Sequence, residues 1–347
     1  MVDIKENRDD ELANCNFIKT ILMLLVVFYH CILYWGGEWF DKQPATTSNV
    51  LSILASWLNS FHIYAFVLVS GYIFFYSRYE CGKYGKFTPF VANKAKRLLI
   101  PYVFVALVWA IPFQCVFFKT DIIEILRRYV LGTSPSQLWF LLMLFVLFTI
   151  VYPLSDFFEK HNLFGCLVVC AFYGVGLVGQ KFLPNIFQVF TACTYAPLFY
   201  LGFKMRQYKN GWIKKIPWWT WILLDVLLFA VSFYIKGQNG AIYTIIGVAC
   251  NFILHLIGAV MAFVCLGKIA NLVKWGNSKA FKSLSKITMP IYLFHQQVIY
   301  ISIYTLNGLI NPYVHALLNM VVSMAVSIGI SIILMKFKHT RMLIGEK

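Results

Sequence analysis

Long apolar runs alternate with short polar segments along almost the whole chain. About 20 consecutive apolar residues are enough for a helix to cross the hydrocarbon core of a bilayer. Ten runs approach or exceed this length, and the fifth and sixth are short and richer in Gly or polar residues. They cover residues 16–35, 51–76, 98–118, 138–154, 163–179, 186–203, 217–235, 241–266, 287–306 and 313–335. The pattern predicts an all-α, polytopic integral membrane protein of about ten transmembrane helices.

The polar segments between the runs are too short to hold a soluble domain. We expect one transmembrane domain over residues 1–347, with 1–15 as a short cytoplasmic segment and 337–347 as a cytoplasmic tail. The chain has no internal repeat of the kind that marks many secondary transporters. In the loop at 119–137, the stretch from Asp121 to Tyr129 is a candidate for a short interfacial helix.

The distribution of Lys and Arg predicts the orientation. If the N-terminus is cytoplasmic, all but six of the 30 basic residues fall in cytoplasmic segments, as the positive-inside rule requires. Both termini are then cytoplasmic. The same distribution accounts for the net charge of +16, because basic loops face the anionic membrane lipid and no nucleic-acid partner is needed. The six exceptions are Lys42, Lys119, Arg127, Arg128, Lys181 and Lys236.

Composition excludes a large soluble helical protein. Apolar residues make up 60% of the chain and charged residues 13%, whereas soluble proteins have roughly 45–50% and about 25%. The 9 Cys lie mostly inside apolar runs, and no Cys or His pair has the spacing of a metal site. Cys166 and Cys170, four residues apart on an apolar helix, are interpreted as packing residues. We expect neither a disulfide framework nor a metal.

A few ionisable residues lie inside or at the ends of the apolar runs. Burial of a charge in the membrane is costly, so each of these residues is a candidate functional residue. These residues are Lys19, His30, His62, Arg97, Asp225, His255 and His295. We interpret Asp225 and His255, on two different predicted helices at middle depth, as a structural pair that satisfies each other's polar groups.

Lys19 and His30 mark one face of the first predicted helix. Eleven residues separate them, so they lie about three turns and roughly 16 Å apart on the same face. One interpretation is a functional stripe with a cation at the inner surface and an imidazole deep in the membrane. The other is a snorkelling Lys and a His that bonds to a neighbouring helix. The spacing alone does not decide between them.

The next two predicted helices carry the other early candidates. His62 lies in the outer half of the second run, at a depth similar to that of His30. Lys94 and Arg97, three residues apart, share a face that leads into the third run. On their own, these two cations read more readily as positive-inside anchors than as a binding site.

Five short motifs occur in the order and spacing of a known family. The matching residues are Lys19 and His30, then Phe66 with Ser70-Gly71-Tyr72, Lys94 and Arg97 ahead of Pro101, Trp139-Phe140-Leu141, and Tyr292-Leu293-Phe294-His295. In these residues the chain resembles the membrane acyltransferase-3 family, whose members O-acylate bacterial surface glycans with a cytoplasmic acyl-CoA. The resemblance extends over nearly the whole chain.

Three departures from the family pattern stand out. Lys19 and Lys94 occupy positions where Arg is commoner, so a point charge replaces a planar fork for phosphate. Ala65 replaces the first Phe of the second-helix motif. No extracytoplasmic esterase-like domain is expected after the last run, so the chain resembles the stand-alone form and direct transfer is expected.

The resemblance implies that the chain is a membrane O-acyltransferase, with acetyl as the expected group, in the bacterial inner membrane. It implies His30 as the general base, a role for which imidazole is suited near neutral pH. His62, at a similar depth, is a candidate to orient His30 or to bind the acceptor, and a purely structural role is the alternative. Acetyl-CoA or another acyl-CoA is the implied donor. Its phosphates would contact Lys19, Lys94 and Arg97, and its pantetheine arm would contact His295.

The implied acceptor is a polysaccharide or a lipid-linked sugar at the outer face. The candidates for binding it are Glu38, Trp39 and Asp41, which follow the first run, and Trp139. For the first three, an interfacial cluster is the alternative interpretation. The alternative function is a transporter or flippase, which needs no coenzyme A, and a third reading is a non-catalytic assembly subunit. The acyl chain, the acceptor hydroxyl and the oligomeric state stay open.

Overall fold

The structure of the protein, a computed structural model, describes residues 2–37, 39, 42–273 and 278–346. In these residues the regular elements are all helical. The α-helices are α1 Val2–Leu33, α2 Asn49–Phe75, α3 Phe87–Val105, α4 Ile111–Phe117, α5 Ile122–Leu131, α6 Trp139–Lys160, α7 Asn162–Phe182, α8 Val189–Gln207, α9 Trp218–Lys236, α10 Ala241–Val273, α11 Lys279–Lys286, α12 Thr288–Leu306, α13 Pro312–Met335 and α14 Lys338–Leu343. The prediction of an all-α protein is confirmed.

Nine helical stretches in the described part of the chain are long and apolar enough to cross a membrane. They coincide with nine of the ten predicted runs, and the multi-pass membrane fold is therefore confirmed. The remaining run, 287–306, is helix α12. It has 19 residues, but it is less apolar because its middle carries His295, Gln296 and Gln297, which are all buried.

The predicted interfacial helix is also present, as α5. Asp121 caps its N-terminus, where the carboxylate accepts a hydrogen bond from the backbone N–H of Glu124 at 3.2 Å. Ile125 and Tyr129 are buried on one face. The opposite face is exposed and includes Ile123, which suits a helix that lies along an apolar boundary.

The chain divides into two compact units. The first comprises residues 1–73, 201–288 and 307–317, and thus holds α1, most of α2, α9, α10 and α11. Close helix contact in this unit depends on small residues. A Cβ on Gly202 would lie 1.9 Å from the carbonyl oxygen of Leu68, so only Gly lets the end of α8 pack on α2.

The second unit comprises residues 74–200, 289–306 and 318–347. Its core contains a group of aromatic rings from α2, α3, α6 and α8. The rings of Phe74, Phe90, Phe148 and Phe199 lie with centroids 5.5–6.2 Å apart in contacting pairs. Such pairs add to the stability that burial of their area supplies. This core surrounds the base of α3, which carries Lys94 and Arg97.

Candidate active site

His30 lies in the last turn of α1 and is only partly buried. Its Nδ1 is 2.8 Å from the carbonyl oxygen of Val26. Because a carbonyl oxygen can only accept, Nδ1 carries the hydrogen and donates it. In the neutral ring, Nε2 is then the nitrogen with the lone pair. The backbone bond therefore fixes the tautomer, with the hydrogen on Nδ1 and the lone pair on Nε2, the nitrogen that could accept a proton.

His62 uses the same arrangement on α2 but is buried. Its Nδ1 donates to the carbonyl oxygen of Leu58 at 2.5 Å, and only 1% of the residue is exposed. The ring of Tyr29 contacts both imidazoles, with centroid distances of 5.0 Å to His30 and 4.8 Å to His62. We call these three side chains the imidazole cluster. Of its two histidines, His30 is the less buried.

Of the three acceptor-binding candidates that follow α1, Trp39 is the one that the structure describes. Its ring centroid lies 5.7 Å from that of His30, so the segment returns over the end of the helix. The other two candidates of this segment, Glu38 and Asp41, lie outside the described residues. The structure thus brings one of the predicted acceptor-binding residues to the imidazole.

Lys19 lies on α1 and is partly exposed. Near the inner end of this helix in the predicted orientation is a cluster that sequence reasoning missed, formed by Glu11, Tyr72 and Arg206. Arg206 Nη1 lies 2.9 Å from Glu11 Oε1 and donates to the Tyr72 hydroxyl at 3.2 Å, while that hydroxyl donates to Glu11. We call it the ion cluster. The sequence signal that could have indicated this cluster was Tyr72, because it belongs to the Ser-Gly-Tyr motif.

The second unit holds the other predicted cations, and their side chains differ. Lys94 Nζ lies 3.6 Å above the centre of the Phe148 ring and is flanked by Tyr84 and Phe90. Cation–π contacts of this kind hold an ammonium in place without neutralising it. Arg97 is exposed, and within the described residues it forms no ion pair.

His295 and Trp139 belong to connected parts of the second unit. His295 is fully buried, and its Nδ1 donates to the carbonyl oxygen of Tyr292 at 2.7 Å. Gln137, two residues before Trp139, donates to the carbonyl oxygen of Leu293 at 3.0 Å. It also forms a reciprocal amide pair with Gln297, with distances of 2.7 and 3.1 Å. The segment that begins α6 is therefore bonded to α12.

Gln137 and Gln297 were not predicted as site residues. Gln137 is buried, although it lies in a short connection, and only its position ahead of the Trp-Phe-Leu motif gave a sequence signal. No sequence pattern predicts this buried amide pair, because the two Gln residues lie 160 positions apart in the chain.

Asp225 and His255 do not pair with each other, so that interpretation was wrong. Asp225 accepts a hydrogen bond from the indole N–H of Trp57 at 2.8 Å. His255 Nδ1 donates to the carbonyl oxygen of Ser60 at 2.8 Å, and its ring stacks on Tyr64 at 3.8 Å. Both find partners on α2, because α2 packs close to α9 and α10 within this unit.

Comparison with known proteins agrees with the motifs. No curated protein and no solved structure gives a match to the chain. The model of the acyltransferase-3 family, described as an acyltransferase domain, matches residues 12–336, and this range includes the imidazole cluster, Lys19, Lys94, Arg97, Trp139 and His295. The chain therefore belongs to the acyltransferase-3 family and is a multi-pass membrane acyltransferase.

Proposed function

We propose that the protein is an O-acetyltransferase of the bacterial inner membrane that transfers acetyl from cytoplasmic acetyl-CoA to a hydroxyl of a polysaccharide or lipid-linked glycan. The observation that carries this proposal is the state of His30. The residue is only partly buried, and the bond from Nδ1 to the carbonyl oxygen of Val26 leaves the lone pair on Nε2. A base of this kind is what acyl transfer to a neutral hydroxyl requires.

The reaction uses one imidazole twice. Nε2 of His30 takes the proton from the acceptor hydroxyl as the oxygen attacks the thioester carbonyl. The C–S bond then breaks, the new C–O bond completes the ester, and the imidazolium returns the proton to the coenzyme A thiolate. The products are an O-acetyl sugar and coenzyme A. No acyl-enzyme intermediate is needed.

In this proposal the donor contacts cations near the inner membrane surface. Lys19 is roughly 16 Å from His30 along α1 by helix geometry, about the reach of an extended pantetheine arm. By the family motifs, Lys94 and Arg97 are assigned to the phosphates as well, and His295 is assigned to the arm. The side chain of Arg97 is exposed, and that of Lys94 rests on ring faces.

The acceptor is assigned to the other end of α1. Trp39 offers an aromatic face 5.7 Å from the His30 ring, and such faces suit the C–H surface of a sugar. Glu38, Asp41 and Trp139 are proposed to take part. The alternative function is a transporter or flippase for a glycan or small molecule, in which the same residues line a route and no coenzyme A is used.

The first experiment measures hydrolysis and transfer of radiolabelled acetyl-CoA by the purified protein in proteoliposomes. We expect His30→Ala to lower the rate by roughly 10²- to 10⁴-fold, the usual contribution of a general base. The monodispersity and thermal midpoint of the variant are matched to wild type first. If the wild-type protein uses no acyl-CoA of any chain length, the acyltransferase reaction with this donor is wrong and transport assays follow.

A second experiment examines the donor site through neighbouring cations. Arg97→Ala is expected to raise the KM for acetyl-CoA roughly tenfold, because a charge-assisted bond to phosphate is lost. Lys96→Ala is the matched control, since Lys96 is equally exposed on the same turn of α3 but projects from another face. Equal effects of the two variants would contradict a specific role for Arg97. A transporter would tolerate both.

A further inference from the structure

The first unit contains an open cavity of about 350 Å³ that none of the predicted site residues lines. Its walls come mainly from α1, α2, α9 and α10, and every lining residue belongs to that unit. Most of its polar side chains lie in the second half of α9 and the first half of α2 and α10. In the predicted orientation these parts of the helices belong to the outer half of the membrane. The volume is at the lower end of the range for small-molecule sites.

The cavity is polar at a depth where polarity is costly. Ser56 and Asn59 of α2 and Asn251 of α10 all line it, and all three are exposed within membrane-spanning helices. Hydroxyl and amide groups that face hydrocarbon without a partner are unfavourable. A polar occupant removes that cost, whereas the lipid tails around α9 and α10 do not.

The hydrogen bonding of Asn251 indicates what the occupant offers. The hydroxyl of Ser232 donates to Asn251 Oδ1 at 2.6 Å, which holds α9 against α10. The carbonyl oxygen of the amide is thereby engaged as an acceptor, and the N–H₂ group is the part of the amide that can donate to an occupant. The hydroxyl of Ser56 and the amide of Asn59 both donate and accept. This mixture matches the hydroxyl groups of a polyol better than it matches an apolar chain, and Lys236, which also lines the cavity, adds an ammonium donor.

Aromatic side chains complete the walls and connect them to the imidazole cluster. Tyr64, stacked on His255, and Phe229 and Phe233 of α9 line the cavity. Tyr29 lines it too, and the same ring contacts His30 at 5.0 Å. One side chain therefore separates the cavity from the proposed base. A sugar ring presents hydroxyls at its edge and C–H groups on its face, which are the two surfaces that this lining complements.

We propose that this cavity binds the sugar of the acceptor, with its hydroxyls on Asn59 and Asn251 and its ring against the aromatic wall. Tyr29 separates that sugar from the His30 imidazole, so the acetylated hydroxyl is one that extends past Tyr29. This inference rests on the proposed transferase function. It adds an acceptor subsite on α2, α9 and α10 to the candidates that follow α1.

The test uses octyl β-glucopyranoside below its critical micelle concentration as the acceptor probe, with radiolabelled acetyl-CoA as the donor. Asn251→Ala is expected to raise the KM for the probe roughly tenfold, the loss of one hydrogen bond, while the KM for acetyl-CoA changes less than twofold. Asn59→Leu, which fills the cavity from an exposed position and leaves the bond between α9 and α10 intact, is expected to have the same effect.

Asn271→Ala is the matched control. Asn271 is also exposed on α10 and also accepts one side-chain bond through Oδ1, from Asn14 at 3.1 Å, but it does not line the cavity. We expect this variant to leave both KM values at the wild-type level. Asn251→Gln, which retains an amide, is expected to recover most of the affinity for the probe.

The possible failures have distinct signatures. If the wild-type protein neither hydrolyses nor transfers from acetyl-CoA, the proposed function has failed and the cavity has lost its basis. If the wild type is active but Asn251→Ala and Asn59→Leu both keep the wild-type KM for the probe, the cavity assignment alone is overturned. A change in the mass of the protein in detergent with that KM unchanged would make the polar surface an interface with a second copy, which also overturns it.

Discussion

Two polar clusters of the first unit differ in how their polar groups are hydrogen-bonded. In the ion cluster, Arg206 lies beside Glu11 and both bond to Tyr72, so charge compensates charge. In the imidazole cluster, His30 and His62 each satisfy one ring nitrogen within their own helix turn. The ion cluster combines side chains from three different helices. Each histidine of the imidazole cluster needs only the carbonyl oxygen of the residue four positions earlier in its own helix.

The difference indicates which cluster is built for chemistry. The acid, the base and the hydroxyl of the ion cluster bond to one another, so a ligand would have to compete with a bonded partner. In the imidazole cluster, the backbone bond of His30 assigns the lone pair to Nε2, and the residue is only partly buried. Three predictions can break or sharpen this contrast.

The largest effect is expected at the ion cluster and on stability. Glu11→Ala leaves the Arg206 guanidinium, 14% exposed, without its carboxylate. We expect the free energy of unfolding to fall by about 2 kcal/mol. The loss of stability is measured as a lower thermal midpoint in detergent, taken from the temperature at which half of the monodisperse peak is lost. The double variant Glu11→Ala/Arg206→Met is expected to recover at least half of the loss, because removing both charges leaves none unpaired. A double variant less stable than Glu11→Ala would contradict a purely structural ion pair.

An intermediate effect is expected at His62, this time on rate. His62→Ala removes the ring against which Tyr29 packs and loosens the position of His30. We expect kcat to fall roughly tenfold, about 1.4 kcal/mol, with the KM for acetyl-CoA within twofold of wild type. A positioning role predicts this split between kcat and KM. A raised KM with an unchanged kcat would instead make His62 a binding residue.

The smallest effect is expected at Trp39. Trp39→Ala removes an aromatic contact worth about 0.5–1 kcal/mol, so the KM for the sugar probe should rise about threefold. Trp219→Ala serves as the control, because Trp219 is 55% exposed on α9 and lies away from the imidazole cluster. No change in the KM for the probe would remove Trp39 from the acceptor site.

Most of the fold was predictable because the membrane imposes one requirement on every spanning segment. Backbone polar groups must bond within the segment, so long apolar runs form helices. Nine runs obeyed this rule directly. The run at 287–306 is a helix that apolarity alone does not identify as a membrane span. Helix α12 is polar in its middle and buried nearly all round, because Gln296, Gln297 and His295 face protein.

The candidate site was predictable only where one helix carried the information. Lys19 and His30 share a face of α1 by spacing alone, and the tautomer of His30 follows from Val26 four residues before it. Residues on different helices were harder to interpret. Asp225 was assigned the wrong partner, and the pairing of Arg206 with Glu11 was missed, since neither contact follows from distance along the chain.

The sequence by itself therefore determined the fold class, the apolar runs, the family motifs and the placement of Lys19 and His30 on one face of a helix. All of these depend on local periodicity or on order along one chain segment. The tertiary structure alone decided which polar groups meet across helices: Tyr29 against both imidazoles, Trp57 on Asp225, and the polar walls of the cavity at Asn59 and Asn251. The physical reason is that helix packing sets these contacts, and side-chain shape, with small residues such as Gly202, decides which helices approach closely.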